Sequence, residues 1–261
     1  MRRAAYIQRT QASNRKNNAA DGPLSPATYR MKIFAIADTH LSGNPPVKPM
    51  DIFGDHWRDH WTKIKNDWQA RVAPDDTVLL AGDISWAMKL SAALEDLEEI
   101  AALPGRKILI RGNHDYWWQT VSKLSAAVDG RLTFLHNSFT AVGRWAVCGS
   151  RGWITPADPA FTPEDQPIYQ RELGRTRASL AAARAAGHEN LILMLHYPPR
   201  TGEATSGFTD LLTEFAVSIC VYGHLHNEAA RAVPAGAING TRCYLVSCDA
   251  LDFKLQEITS T

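Results

Sequence analysis

Five short polar motifs hold the residue types from which a metal site is built. They are Asp38-Thr39-His40, Gly82-Asp83, Arg111-Gly112-Asn113-His114-Asp115, the single His196, and Gly223-His224-Leu225-His226. Imidazole and carboxylate together bind first-row divalent ions, and the lack of cysteine beside them argues against a structural zinc knot. Asp38 and His40 are two residues apart, as are His224 and His226. An extended backbone or a turn can aim both members of such a pair into one crevice. Gly82, Gly112 and Gly223 permit tight turns or close backbone approach beside the candidate ligands. Seven side chains, Asp38, His40, Asp83, Asn113, His196, His224 and His226, are too many for one ion and suit two if one carboxylate bridges. Two ions about 3.5–4 Å apart form a clamp for displacement at a phosphate ester. Each motif alone has an innocent reading, since Asp-x-His is common and a lone histidine is more often a satisfied core residue. The full set in this order is poorly explained by chance.

Strands must deliver these motifs to one place. Short apolar runs at 32–37, 77–81, 107–110, 132–135, 145–148, 191–195, 218–221 and 243–246 read as buried strands, several rich in β-branched residues. Five of them run directly into the motifs. Ligands of open α/β sheets collect at the carboxyl ends of the strands, so the motifs are expected around one crevice. Helical patterns lie between. Residues 57–72 place Trp57, Trp61, Ile64 and Trp68 on one face; 91–103 begin at a Ser91 cap and stop at Pro104-Gly105; 170–186 are alanine-rich and end at Gly187. No repeat and no linker interrupts the chain after Met31. The expectation is one α/β domain over 31–261.

In its five blocks and their order, the sequence resembles the calcineurin-like metallophosphoesterase family over essentially all of residues 31–250. The resemblance implies a four-layer α/β/β/α sandwich with a dinuclear site. By matching position, it places Asp38, His40 and His226 on the first ion and Asn113, His196 and His224 on the second, with Asp83 bridging. It implies that His114 contacts the phosphate and protonates the leaving oxygen as general acid, with Asp115 orienting it. The implied reaction is hydrolysis of a phosphate ester by a hydroxide bridging two divalent ions. Manganese is the first expectation for the metal, with iron or zinc behind it. Residues 82–90 and 111–118 resemble more narrowly a bacterial subgroup of predicted phosphohydrolases with no agreed substrate. The aspartate-arginine-glycine continuation of protein serine/threonine phosphatases is missing, because Ile84-Ser85-Trp86 follows Asp83. The tyrosine ligand of purple acid phosphatases is missing as well.

Substrate contacts are less sharply marked. Asn113 and His114 are expected to touch the phosphate. Arg151, just after the 145–148 strand, is a further candidate, with a plain surface charge as its alternative. Arg171, Arg175 and Arg177 read as a solvated helix face, on which Arg171 and Arg175 share one side. Trp86, Tyr116, Trp117 and Trp118 flank two metal blocks and could stack on a planar leaving group, though core packing is the expected fate of at least two. His56 and His60 are four apart on an expected helix and read as a polar rim rather than an extra metal pair. His136 and His188 have no evident partner.

Composition sets the remaining limits. The 261 residues are 45% apolar and 21% charged, which is globular, and their formal charge is +1. Residues 1–30 hold six basic side chains against Asp21, a net +5, so residues 31–261 carry −4. That balance disfavours a nucleic-acid partner, and with it a nuclease, which needs a basic stripe. A non-catalytic scaffold of the same fold is the alternative from another class; the presence of His114 and every ligand position argues against it. Residues 1–30 read as a disordered basic tail, either an extended start before Met31 or an organelle transit segment. No apolar stretch approaches the roughly 18 residues of a membrane-spanning helix. Cys148, Cys220, Cys243 and Cys248 lie in or beside apolar runs and read as buried thiols of a reducing compartment, the cytoplasm. A Cys243–Cys248 disulfide is left open. The expected substrate is a diester or a small phosphorylated metabolite, and the oligomeric state is open.

Overall fold

Strands of four or five residues that bury both faces must be flanked on both sides, and the computed structural model shows how. It describes residues 30–231 and 236–259. The tail expected over 1–30 therefore lies, apart from Arg30, outside the described residues. In chain order the elements are β1 (Ile33–Ile36), α1 (His60–Arg71), β2 (Thr77–Leu80), α2 (Leu90–Ala102), β3 (Arg106–Leu109), α3 (Val121–Ala127), β4 (Thr133–Phe134), β5 (Phe139–Val142), β6 (Trp145–Gly149), α4 (Gln166–Ala185), β7 (Asn190–Met194), α5 (Gly207–Glu214), β8 (Ile219–Tyr222), α6 (Asn227–Arg231), β9 (Ala237–Ile238), β10 (Thr241–Leu245) and β11 (Gln256–Glu257).

Two sheets result. One has the order β11-β1-β2-β3-β4, and the other β5-β6-β7-β8-β10-β9. β1 to β4 run parallel, as do β6, β7, β8 and β10; β11, β5 and β9 are antiparallel edges. Successive side chains of a strand point to opposite faces, so each strand feeds two layers. Ile33, Ala35, Leu79 and Ile108 pack from the first sheet against Val147, Ile192, Met194, Ile219 and Val221 of the second. The alternate residues Phe34, Ile36, Val78 and Leu80 lie beneath Ile64, Trp68, Leu97 and Leu124 of α1, α2 and α3. Cys148, Leu191, Leu193 and Cys220 lie beneath Leu180, Ala183, Phe208 and Leu212 of α4 and α5. This is the expected α/β/β/α sandwich. Each fully buried aliphatic side chain contributes roughly 1.5–3 kcal/mol.

The sheets also join by hydrogen bonds. The Ala37 N–H donates to the Val246 carbonyl at 2.7 Å, and the Cys248 N–H donates to the Ala37 carbonyl at 3.0 Å. The carboxyl ends of β1 and β10 therefore meet where the Asp38 motif begins.

Some boundaries differ from the sequence expectation. The 57–72 helix begins at His60, because Asp59 takes a left-handed backbone (φ 55°) and Asp55–Trp57 forms a separate single turn. His56 and His60 thus do not share a helix face. α4 starts four residues early, with a proline in its first turn, where a missing N–H costs nothing. α3, α5, α6, β5, β9 and β11 were not anticipated. All four cysteines are free thiols, which closes the Cys243–Cys248 question.

Trp68 is fully buried, and its indole N–H donates to the Pro104 carbonyl at 2.9 Å, tying α1 to the end of α2. Trp68→Ala should cost about 3–5 kcal/mol in denaturant unfolding, through lost burial and the cavity left behind. A loss below about 1 kcal/mol would contradict this packing role.

Candidate metal centre

Loops at the carboxyl ends of β1, β2, β3, β7 and β8 bring the five motifs together. Their backbones are strained. Asp38 (φ 60°), His40 (φ 46°), Asp83 (φ 53°) and His224 (φ 73°) are all left-handed, a conformation costing of order 1–3 kcal/mol each. Hydrogen bonds hold them there. The Asp38 N–H donates to the Gly82 carbonyl at 2.9 Å, and the His40 N–H donates to the Asp83 carbonyl at 3.0 Å. Gly112 is required by close approach: a Cβ there would sit 2.0 Å from Asp83 Oδ1 and 2.2 Å from the Asp83 nitrogen. Gly223 is similar, since a Cβ would lie 2.5 Å from Asp38 Oδ2.

All seven side chains converge. Asp38 Oδ1 lies 3.8 Å from His226 Nε2 and 4.0 Å from His196 Nδ1. Asp83 Oδ2 lies 3.5 Å from His196 Nε2 and 3.9 Å from His40 Nε2. Asn113 Oδ1 lies 2.7 Å from His196 Nε2 and 3.0 Å from His224 Nδ1. Two donor groups each fall within 4.8 Å, Asp38 with His40 and His226, and Asp38 with Asp83 and His196. Asp38 belongs to both.

The donor set fits divalent cations. Asp38 Oδ1 and His40 Nδ1 are buried and accept or donate no hydrogen bond. An unsatisfied buried polar atom is costly, and a cation is the natural partner for one carboxylate oxygen ringed by imidazoles. Charge burial tells the same story. Burial pushes Asp38 up to about 8, with the Asp83 charge adding and His226 opposing. Asp83 rises to about 6, again chiefly by burial. Burial lowers His196 and His224 to about 3 and holds His40 well below its ordinary value. The cluster is thus a set of neutral imidazoles around carboxylates that resist ionising without a counter-charge.

His226 is the exception. Burial lowers it, but the hydrogen bond to Asp249 and the Asp38 charge outweigh that and leave it raised. Its Nδ1 donates to Asp249 Oδ1 at 2.8 Å, which leaves Nε2 facing Asp38. Asp249 was missed in the sequence. The available signal was its place just beyond β10, a strand-end carboxylate like Asp38 and Asp83. His60 also supports the site, its Nε2 lying 2.8 Å from the Thr39 carbonyl within the Asp38–His40 turn.

Two expectations need correction. Asp115 does not orient the His114 ring. Its buried carboxylate accepts from the backbone N–H groups of Gly112 (2.8 Å), Asp83 (2.9 Å), Ile84 (2.8 Å) and Ser85 (3.2 Å), and from the Trp117 indole (3.0 Å). Those donors fill its lone pairs, and Asp115 clamps two loops together instead. Arg151 does not line the cavity beside the donor groups. Its guanidinium faces Glu172 at 3.8 Å and stacks 4.4 Å from the Trp153 ring centre. Only its carbonyl reaches the centre, accepting the His196 N–H at 2.9 Å.

The cavity itself, about 250 Å³, is walled by His40, Asp83, His114, His224 and His226 with Met50, Phe53, Trp57 and Trp86. Trp86 stacks on His40 (ring centres 4.6 Å apart) and touches His114 (4.5 Å). Of the four flanking aromatics, Trp117 and Trp118 are core residues, while Trp86 is half-buried and Tyr116 exposed at the rim.

A family model described as calcineurin-like phosphoesterase matches residues 31–228. The chain belongs to that family. Its members are phosphoesterase hydrolases with dinuclear metal centres. The Gene 66 protein of Mycobacterium phage L5 is 34% identical over 79 residues, which cover 30% of this chain and 37% of that relative. TT1561 of Thermus thermophilus shares the fold, with 14% identity, a TM-score of 0.54 and coverage of 88% of this chain and 99% of its own. Calcineurin-like phosphoesterase YfkN from Bacillus subtilis aligns at 14% identity and a TM-score of 0.44, over 83% of this chain and 81% of that one. Among the described residues, no helix of this phosphoesterase-family chain is long and apolar enough to cross a membrane.

Asp249→Asn removes the charge that fixes the His226 tautomer while keeping its shape. Affinity for a divalent ion, measured by metal titration, should fall about 10–100-fold. Unchanged affinity would remove Asp249 from the supporting shell. The pKa shifts also predict a pH effect on the metal-free protein. Asp38 is raised from its ordinary value to about 8, and His226 is raised too. Raised groups stabilise the fold below their unfolded pKa and lose that contribution as pH climbs through the folded value. The histidines with lowered pKa are neutral in both states above about pH 7, so they add no opposing slope there. The Tm of the EDTA-treated chain should therefore fall between about pH 7 and 8.5, and an added divalent ion should restore it. A rising Tm over that range would refute the assignment.

Proposed function

We propose that the protein is a metal-dependent phosphohydrolase that cleaves a phosphate ester, either a diester or a small phosphorylated metabolite. The observation that carries the reading is Asp83 Oδ2 lying between the two ligand sets, 3.9 Å from His40 Nε2 and 3.5 Å from His196 Nε2, beside a cavity walled by His114. In this reading Asp38, His40 and His226 hold one ion, Asn113, His196 and His224 hold a second, and Asp83 serves both. Manganese is our choice, ahead of iron and zinc. Bound there, two divalent ions supply charge neutralisation at the phosphoryl oxygens and a lowered pKa for the attacking water.

The chain's own groups do the rest. The His114 N–H donates to Asp83 Oδ1 at 2.8 Å, fixing that carboxylate and setting the His114 ring at the cavity wall. From there the ring gives its proton to the leaving oxygen, a role contributing about 10²–10⁴-fold. The Asn113 carboxamide lies beside the same phosphate. Trp86, packed on both His40 and His114, keeps water from one side of the reacting ester and offers an aromatic face to the leaving group. The cavity volume suits a small ester rather than a macromolecule. Free thiols at all four cysteines favour a reducing, cytoplasmic setting.

Manganese-supplemented protein should hydrolyse bis-p-nitrophenyl phosphate or p-nitrophenyl phosphate, and the preferred ester identifies the class. His114→Ala should lower kcat about 10²–10⁴-fold with metal content unchanged. No turnover of either ester by metal-loaded protein would sink the phosphohydrolase reading, and full activity in the variant would remove His114 as the acid.

A further inference from the structure

A second cavity, about 540 Å³, opens on the other side of the β3 and β6 loop ends. Arg111, Arg151, Arg171 and Arg175 line it, together with Glu172 and His136. Four guanidinium groups thus face one carboxylate, a formal excess of three positive charges in a chain whose residues 31–261 carry −4. Glu172 is almost fully buried, and three of the arginines converge on its single Oε1: Arg175 at 2.7 Å, Arg171 at 3.7 Å and Arg151 at 3.8 Å. One carboxylate cannot neutralise three cations. Arg111 has no carboxylate partner among the described residues.

The cluster is also built and held. Arg151 stacks on Trp153, which fixes the plane of its guanidinium. The Nε atoms of Arg111 and Arg151 are buried and donate no hydrogen bond. Like charges gathered at partly dry positions repel one another and leave donors unsatisfied, so such a cluster is stabilised by an anion with several acceptor oxygens. Planar forks match tetrahedral oxyanions in bidentate fashion. Arg111 immediately precedes Gly112-Asn113-His114, and the Arg151 carbonyl accepts the His196 N–H, so this cavity is coupled through the backbone to the candidate metal centre.

We propose that this cavity is an anion site for a phosphate-type dianion, separate from the metal ligands. The occupant is either a second phosphate of the substrate or free phosphate. Binding there does not depend on the hydrolase reading, because no metal ligand takes part. The test titrates inorganic phosphate into the full chain in EDTA, where metal-held phosphate adds no signal. Wild type should bind one phosphate, and Arg171→Gln with Arg175→Gln should raise Kd at least tenfold, with a lowered Tm because Arg175 pairs with the buried Glu172. Arg171→Gln alone, at a half-exposed position, should give a smaller loss without endangering the fold. Phosphate binding that is absent in wild type, or equal in wild type and variants, overturns the proposal. Turnover by the manganese-loaded protein then names the source. Selective loss of kcat/KM for a nucleoside diphosphate, with bis-p-nitrophenyl phosphate unaffected, assigns a second substrate phosphate. Equal turnover by wild type and variant, with phosphate binding lost, assigns the free anion.

Discussion

Two carboxylates, Asp38 and Asp83, are buried at 0% and 2% exposure among imidazoles that burial keeps neutral. Among the described residues, no cationic side chain fully compensates them. Ionising either group in that setting is expensive, and the raised pKa values record the expense. Every other feature of the centre is consistent with this constraint. Most of the histidines present lone pairs instead of charge, the orphaned Asp38 oxygen points into the cluster, and Asp249 with Asp38 raises the one imidazole that departs from this, His226. The electrostatics describe a socket whose buried carboxylates a divalent cation would compensate.

Holding that socket open takes a rigid frame. Four of the converging residues occupy left-handed backbone, which the chain would leave if it were free to do so. The restraint comes from inside the fold. Asp115 gathers four backbone N–H groups from the β2 and β3 loops, and Gly112 brings those loops within contact of Asp83. Hydrogen bonds between Ala37 and the 246–248 segment lock the two sheets at the same point. The strain is local, and the sandwich on either side of it is conventional packing.

Much of this architecture was legible beforehand. Runs such as 32–37, 77–81 and 191–195 are too short for helices and too apolar for loops, so their strand character followed from length and burial. Most of the elements that escaped are small or lie at edges, with α3 and α5, of seven and eight residues, as exceptions. β9 and β11 have two residues each, α6 has five, and β5 pairs at a sheet margin where one neighbour is absent. Such pieces take their form from the surface they dock on, and their own pattern carries little periodicity. The start of α1 differs from its sequence pattern for a related reason. Trp57 does face the core with Trp68, as the spacing suggested, but it reaches the core from a separate turn.

The sequence by itself determined the chemistry of the centre, because residue type and strand-end position already select imidazole and carboxylate around one crevice. Runs apolar on both faces pointed to an α/β domain, and the layer order followed only from the family resemblance. Only the tertiary structure decided what each remaining polar group does. Asp115 became a clamp because five donors surround it, Asp249 joined His226 from 23 residues away, and Arg151 turned to Glu172 and Trp153. A side chain's partners are set by which loops the sheets bring together. That proximity is a property of packing in space, and spacing along the chain does not encode it.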